Sequence, residues 1–226
     1  MKWGNGACKC TGNTAVKTKR IIMTVFGVLG TGVFAGLFQF IAFGVDPFQC
    51  FINGFYALIP MEFGTLYLII NVVLLLFALL ADRHYIGLGT VVNIFLLGYV
   101  LQFTSEALRT LIPSPSLALR IVLIPVALLG LSASSSLYMT ADLGVSAYDS
   151  VALIISNTWH KMQFRYCRVV TDLVCVVVGS ALFLLSGKTF VQLTAYAGIG
   201  TVLTAFCMGP VISWCNEHIS KPLLNK

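Results

Sequence analysis

The chain has 226 residues, of which 58% are hydrophobic and 10% charged, and its mean hydropathy is +0.92. Those values lie far from soluble averages and describe an integral membrane protein. The formal net charge of +6 is no nucleic-acid footprint, because no basic patch alternates with aromatics on a soluble face. Seven cysteines, an odd number held mostly inside apolar runs, do not describe a disulfide framework. Cys8 and Cys10 lack a neighbouring His or Cys with which to bind a metal.

In chain order, residues 1–20 read as a short disordered tail ending in the basic run Lys17, Lys19, Arg20. The apolar stretch behind it is too long for a signal peptide and closes on no small-residue cleavage site. A first span is predicted over about residues 21–43. Its Gly32 and Gly36 form a small-residue face suited to close helix packing. The turn Gly44-Val45-Asp46-Pro47-Phe48-Gln49 follows. Asp46 is an N-cap, Pro47 suits the first helical position, and Gln49 is spaced for a capping box, so a short helix is expected over 47–58. Further spans are predicted over about 63–81 and 88–108, up to the Pro113–Pro115 break.

The second half repeats this order. A span over 117–140 leads to Gly144-Val145-Ser146-Ala147-Tyr148-Asp149, where Ser146 and Asp149 again fit a capping box, and a short helix over 147–157. A loop with His160, Lys161, Arg165 and Arg168 precedes spans over about 166–185 and 193–214, then a polar tail.

The two turns sit 144 − 44 = 100 positions apart. Gly30, Gly32 and Gly36 match Gly130, Ser132 and Ser136 at the same offset. Asn71 meets Asp172 at 172 − 71 = 101, and the Gly87-Leu88-Gly89-Thr90 stretch meets Gly198-Ile199-Gly200-Thr201 at 198 − 87 = 111. The reading is an all-α protein of six spans in two three-span repeats. Repeat one covers 21–112 and repeat two 117–215, with a linker at 113–116 and tails at 1–20 and 216–226. Three is odd, so the second repeat must cross in the opposite sense. The positive-inside rule agrees. With both termini cytoplasmic, eleven basic residues fall inside and three (Arg109, Arg120, Lys188) outside, which accounts for all 14.

Inverted repeats recur in secondary transporters, whose sites lie near the midplane between the repeats. Each short helix, roughly 17 Å long, cannot span a core of about 30 Å. It is therefore re-entrant, buried in protein, or flat in the interface. The turn glycines Gly44, Gly144, Gly89 and Gly200 would act as hinges.

Gly-Val-Ser-x-Tyr-Asp at 144–149, the Arg168/Asp172 segment, and Gly-Ile-Gly-Thr at 198–201 with Gly209-Pro210 resemble the YczE/YitT-type bacterial membrane proteins. The resemblance is clearest over 125–215. It implies six spans in a bacterial cytoplasmic membrane and a suspected transport role, and it supplies no catalytic residue.

An ionisable group inside a span is costly and marks a candidate site. Asp172 reads either as an i, i+4 partner of Arg168 or as a proton or cation site. Asp149 reads as a capping carboxylate that can also face a pathway, tilting the substrate toward a cation or zwitterion, or toward proton coupling. Asn71 suits a cavity or an interhelical hydrogen bond. Glu62, Asp82 and Glu106 fall near span ends as solvated groups. Phe38, Phe40, Phe43, Phe48 and Tyr148 are expected to face lipid or the interface more than a cavity.

No catalytic motif is present, and His84, His160 and His218 all fall in loops or tails, so neither an enzyme nor a metal or other cofactor is expected. The expected function is a small-solute secondary transporter or permease, with candidate binding residues Asp149, Asp172, Asn71, Tyr148, Arg168, Asp46 and Gln49. Its expected surroundings are the lipid bilayer and an unidentified small molecule. Two rivals remain open. One is a substrate-binding subunit of an ATP-driven complex that docks through the small-residue face of the first span; the other is a scaffold dimerising through Gly32 and Gly36.

Overall fold

A computed structural model describes residues 14–61, 63–189, 193–194 and 197–225. The Cys8/Cys10 pair, Lys2, Lys9, Glu62 and Lys226 lie outside the described residues. The chain runs as α1 (Thr14–Ile41), α2 (Pro47–Leu58), α3 (Phe63–Ala81), α4 (Leu88–Leu111), α5 (Leu117–Ala141), α6 (Ala147–Leu153), α7 (Phe164–Leu185) and α8 (Ile199–Cys215), with no strand among the described residues. Five helices are long and apolar enough to cross a membrane: α1, α4, α5, α7, and α8 with its continuation to Leu224. The expected second span, α3, is apolar over the shorter stretch Thr65–Ala81. The protein is a multi-pass, all-helical membrane protein.

Two boundaries differ from the sequence reading. Helix α1 begins at Thr14, so Lys17, Lys19 and Arg20 ride on its first turns and belong to no loose tail. After Cys215 the chain continues through a π-helical turn, Asn216–Ser220, to Asn225.

Hydrophobicity is distributed as a lipid solvent requires. Val91, Phe95, Tyr99 and Phe103, spaced by four along α4, all point outward, and Leu80 is 89% exposed. Buried positions include many polar side chains beside the apolar ones: Thr24, Asn71, Asn93, Ser132, Ser135, Asp149, Arg168, Asp172 and Thr201. Apolar surface costs nothing against hydrocarbon, so the interior is where hydrogen-bonding groups find partners.

Helix α1 is the central post. On one side Gly27 and Gly30 admit Tyr138 and Ser134 of α5. On the other, Gly32 and Gly36 lie against Val100, Leu101 and Thr104 of α4; a Cβ on Gly36 would stand 2.6 Å from the Leu101 carbonyl oxygen. The small-residue face expected to receive a partner or a second copy is therefore filled by the chain's own α4. Helix α2 lies against α7 backbone to backbone, where a Cβ on Gly179 would meet the Cys50 carbonyl oxygen at 2.5 Å.

The two glycine turns are held crosswise. Thr90 Oγ1 donates to the Val145 carbonyl (2.8 Å) and Gly89 N–H to Leu143 (2.7 Å). In matched fashion Thr201 Oγ1 donates to the Val45 carbonyl (2.6 Å) and Gly200 N–H to Phe43 (2.9 Å). Each turn is thus tied down by the start of a helix from the other half. Gly44 and Gly144 adopt φ of +119° and +106°, and the residues two before them, Ala42 and Asp142, both sit at φ 56°. Only the second of these carries charge: Asp142 meets His84 Nε2 at 3.0 Å and Arg20 at 3.9 Å.

Gly144→Ala places a Cβ 2.5 Å from the Gly87 backbone nitrogen at a φ that L-residues avoid, and should cost about 2–4 kcal/mol. Gly98, with open space around its Cβ position, is the control: Gly98→Ala should be neutral or stabilising by up to about 1 kcal/mol. Thermal unfolding of the purified protein in detergent checks both; equal effects would refute the assignment of Gly144 to a close backbone approach.

Candidate functional site

Helices α2 and α6 both open on a capped turn. The Asp46 carboxylate accepts from Phe48 N–H at 3.1 Å. Ser146 Oγ accepts from Asp149 N–H at 3.0 Å and donates to Asp149 Oδ2 at 2.7 Å. Neither motif closes the full capping box its spacing suggests. Gln49 instead lines a central cavity, and the free oxygen of Asp149 is taken by an arginine.

That arginine is Arg168, 3% exposed in the first turns of α7. Its sequence neighbours His160, Lys161 and Arg165 mark it as a loop cation, and the structure corrects this. Arg168 leaves the inside tally and becomes the hub of the interior. Its Nη1 pairs with Asp149 Oδ1, and Nε donates to Asp172 Oδ2 at 3.2 Å, one turn along α7. Its Nη2 meets Met208 Sδ of α8 at 3.9 Å, and the guanidinium lies over the Tyr148 ring at 4.6 Å. The Tyr148 hydroxyl donates to the other oxygen of Asp172. Gly209 makes room for this: a Cβ there would stand 3.1 Å from Arg168 Cβ and 2.6 Å from the Arg165 carbonyl oxygen. Asp149 and Asp172, 7% and 0% exposed, thus share one guanidinium.

The first half builds the same frame with other chemistry. Phe48 occupies the position of Tyr148 at the offset of 100, and the two rings stack face to face at 4.7 Å and 15°. Tyr67, 101 before Arg168, sets its ring edge-on to Phe48 at 6.1 Å, where Arg168 lies over Tyr148. Asn71 stands one turn beyond Tyr67, as Asp172 stands one turn beyond Arg168; its Nδ2 donates to the Tyr67 carbonyl at 2.9 Å.

Between the halves lies a cavity of about 90 Å³. Asp46, Phe48 and Gln49 line it from α2 and its cap, Tyr67 and Asn71 from α3, and Asn93 from α4. Tyr148 and Asp149 line it from α6, Arg168 from α7 and Met208 from α8. Six of the seven predicted binding residues therefore converge, while Asp172 sits one layer behind, reached through Arg168 and Tyr148. The glycines Gly44, Gly89, Gly144 and Gly200 frame the turns and do not line the cavity.

Phe38, Phe40, Phe48 and Tyr148 are all buried, at 3–8% exposure. The structure corrects their expected lipid-facing placement: Phe48 and Tyr148 stack on each other between the halves, and Phe38 packs with Ile41 and Ala127. Tyr67 was missed as a site residue, although its offset of 101 from Arg168 was available. Asn93 also lines the cavity: 8% exposed, its Nδ2 has no hydrogen-bond partner. Asp82 is not simply solvated, since it accepts from Thr158 Oγ1 at 2.7 Å. Among the described residues no group of three or more His, Cys, Asp or Glu could hold a metal ion.

Removing the hub should leave two buried carboxylates unpaired, so Arg168→Met should cost about 3–5 kcal/mol. Arg168→Lys should recover little, because one ammonium cannot serve two carboxylates and a ring in the fork geometry. Adding Asp149→Asn and Asp172→Asn to Arg168→Met should restore part of the loss. Thermal unfolding of the four proteins decides; a triple variant weaker than Arg168→Met would refute the shared-charge account.

The chain belongs to a family of unknown function, DUF6198, whose model matches residues 18–217. No curated protein and no solved structure shows significant similarity to it.

Proposed function

We propose, for a chain whose family carries no assigned activity, that it is a small secondary transporter or permease for a small solute. In this reading α3 is a sixth span, the halves are inverted three-span repeats, and α2 and α6 are re-entrant helices that enter from opposite sides. The termini face the cytoplasm of a bacterial cell.

One observation carries the reading: the repeat-related rings of Phe48 and Tyr148 stack on each other beside a polar cavity. A buried charged group in a membrane is expensive, and transporters keep such groups at the interface between repeats. Both short helices support re-entry, since six of seven α6 residues are buried, as are Pro47, Phe48, Cys50, Ile52 and Gly54 of α2. The crosswise turn contacts supply the mechanics. Opening one turn breaks the Thr90 or Thr201 bond at one end only, so the two ends can open in alternation around a fixed centre. The rivals that dock a partner ATPase or a second copy on the Gly32/Gly36 face lose their surface, because α4 occupies it.

Two measurements test this. Single cysteines at Ser114 and Met162 in a cysteine-free background should react oppositely with an impermeant maleimide. Ser114→Cys should label on intact cells and Met162→Cys only after permeabilisation; the same pattern at both would sink the inverted topology. In proteoliposomes holding only this protein, uptake of a small solute should fall by about tenfold or more in Asp149→Asn, since a charge-assisted contact is lost. No solute entering above protein-free vesicles would sink the transport reading.

A further inference from the structure

Resting on the permease reading, we propose that the central cavity takes a small organic cation: a protonated amine bearing a hydrogen-bond acceptor, of the size of a short amino alcohol.

The argument starts from the repeat. In the second half a cation lies over an aromatic ring, Arg168 over Tyr148, and pairs with the carboxylate one residue after that ring, Asp149. In the first half the matching ring is Phe48 and a carboxylate stands two residues before it, Asp46. The chain position that supplies the cation in the second half is filled by Tyr67 in the first. Asp46 is met by backbone N–H at the start of α2 and forms no ion pair among the described residues. The first half has the ring and the carboxylate but no cation of its own.

Charge gives the same answer. Asp46, Asp149 and Asp172 surround a single guanidinium, and Arg168 is already committed to two of them. An anion entering the cavity would find no uncommitted positive group among its lining residues. A cation would find Asp46 in a cavity also lined by the rings of Phe48 and Tyr67, and an aromatic face attracts ammonium groups.

A second observation, independent of the carboxylates, points to a ligand. Asn93 lines the cavity with an amide nitrogen that is buried and hydrogen-bonded to nothing. The large majority of buried side-chain donors are satisfied, so this one, facing the cavity, suits an acceptor on the occupant, such as a hydroxyl. Size closes the description. A dry cavity of about 150 Å³ holds benzene with its six heavy atoms, so one of about 90 Å³ suits about four. Ethanolamine has that size, one ammonium and one hydroxyl.

The test is calorimetric binding to the purified full chain in detergent, with ethanolamine, ethylammonium, urea and acetate as probes. Ethanolamine should bind best, ethylammonium more weakly, and urea and acetate not measurably. Asp46→Asn keeps the helix cap, since asparagine caps as well as aspartate, and should weaken both amines by about tenfold or more. Asn93→Leu should bring ethanolamine down to the level of ethylammonium while leaving ethylammonium unchanged. Binding of urea or acetate as tight as ethanolamine, absence of amine binding, or wild-type affinity in Asp46→Asn would each overturn the proposal. Uptake into proteoliposomes separates it from the reading it rests on. Amine binding without uptake of labelled ethanolamine keeps the cation site and removes the permease; uptake of an anion or neutral solute without amine binding does the reverse.

Discussion

A guanidinium that is 3% exposed inside a membrane protein is the constraint on which the other features of the interior depend. Stripping water from such a group costs several kcal/mol unless charges of opposite sign take its place. Arg168 meets that condition with Asp149 on α6 and Asp172 on its own helix, and the planar fork of arginine lets one side chain serve both. Because one partner lies on α6, the pairing also fixes where that short helix ends up. Because the ring of Tyr148 sits under the guanidinium and its hydroxyl reaches Asp172, the α6 entry turn is held in register with α7. Gly209 on α8 completes the arrangement by letting a third helix approach to backbone distance.

Matched positions of the two halves supply the frame, and the residues that differ there supply the chemistry. Matched turns with left-handed glycines, matched threonine bonds at 2.8 and 2.6 Å, and matched rings in a stack all follow one geometry. Within it, Arg168 corresponds to Tyr67, Asp172 to Asn71, and Tyr148 to Phe48. At the cavity the second half is ionic, with its buried charges paired to one another; the first is aromatic and amide-bearing. Each turn is closed by residues of the other half, so a turn that opens parts from a helix start of that half.

The sequence carried much of this. The offset of 100 located both turns, and the offset of 101 paired Asn71 with Asp172, because register drifts only where loops change length. Six of seven candidate binding residues reached one cavity for that reason. What escaped it were properties of three-dimensional neighbourhood. Arg168 follows two basic residues and reads as a loop cation; the carboxylate of Asp149, 19 positions away, joins Asp172 in making its burial tolerable. Gly32 and Gly36 advertise a close helix contact without saying with which helix, and α4 of the same chain answers. Aromatic residues are equally at home against lipid and in a stack, so Phe48 and Tyr148 could not be placed by type. Asn93 shows nothing in sequence of the missing partner that singles it out in the fold.

The asymmetry between the halves bears on function. A buried polar network in which every group is satisfied rigidifies a protein; one with a group left over is costly unless something completes it. Had the first half copied the second, with its own arginine between two carboxylates, the centre would be a closed ionic core with nothing for a solute to do. Had both halves been neutral, the centre would have had nothing to distinguish one small solute from another. This chain has one half whose buried charges are paired and one with Asp46 and Asn93 facing the cavity. On the permease reading, the satisfied half is the anchor that keeps the centre from collapsing, and the unsatisfied half is where a solute gains its binding free energy. That free energy is available only while the solute is in place, and a centre that must release its cargo requires it.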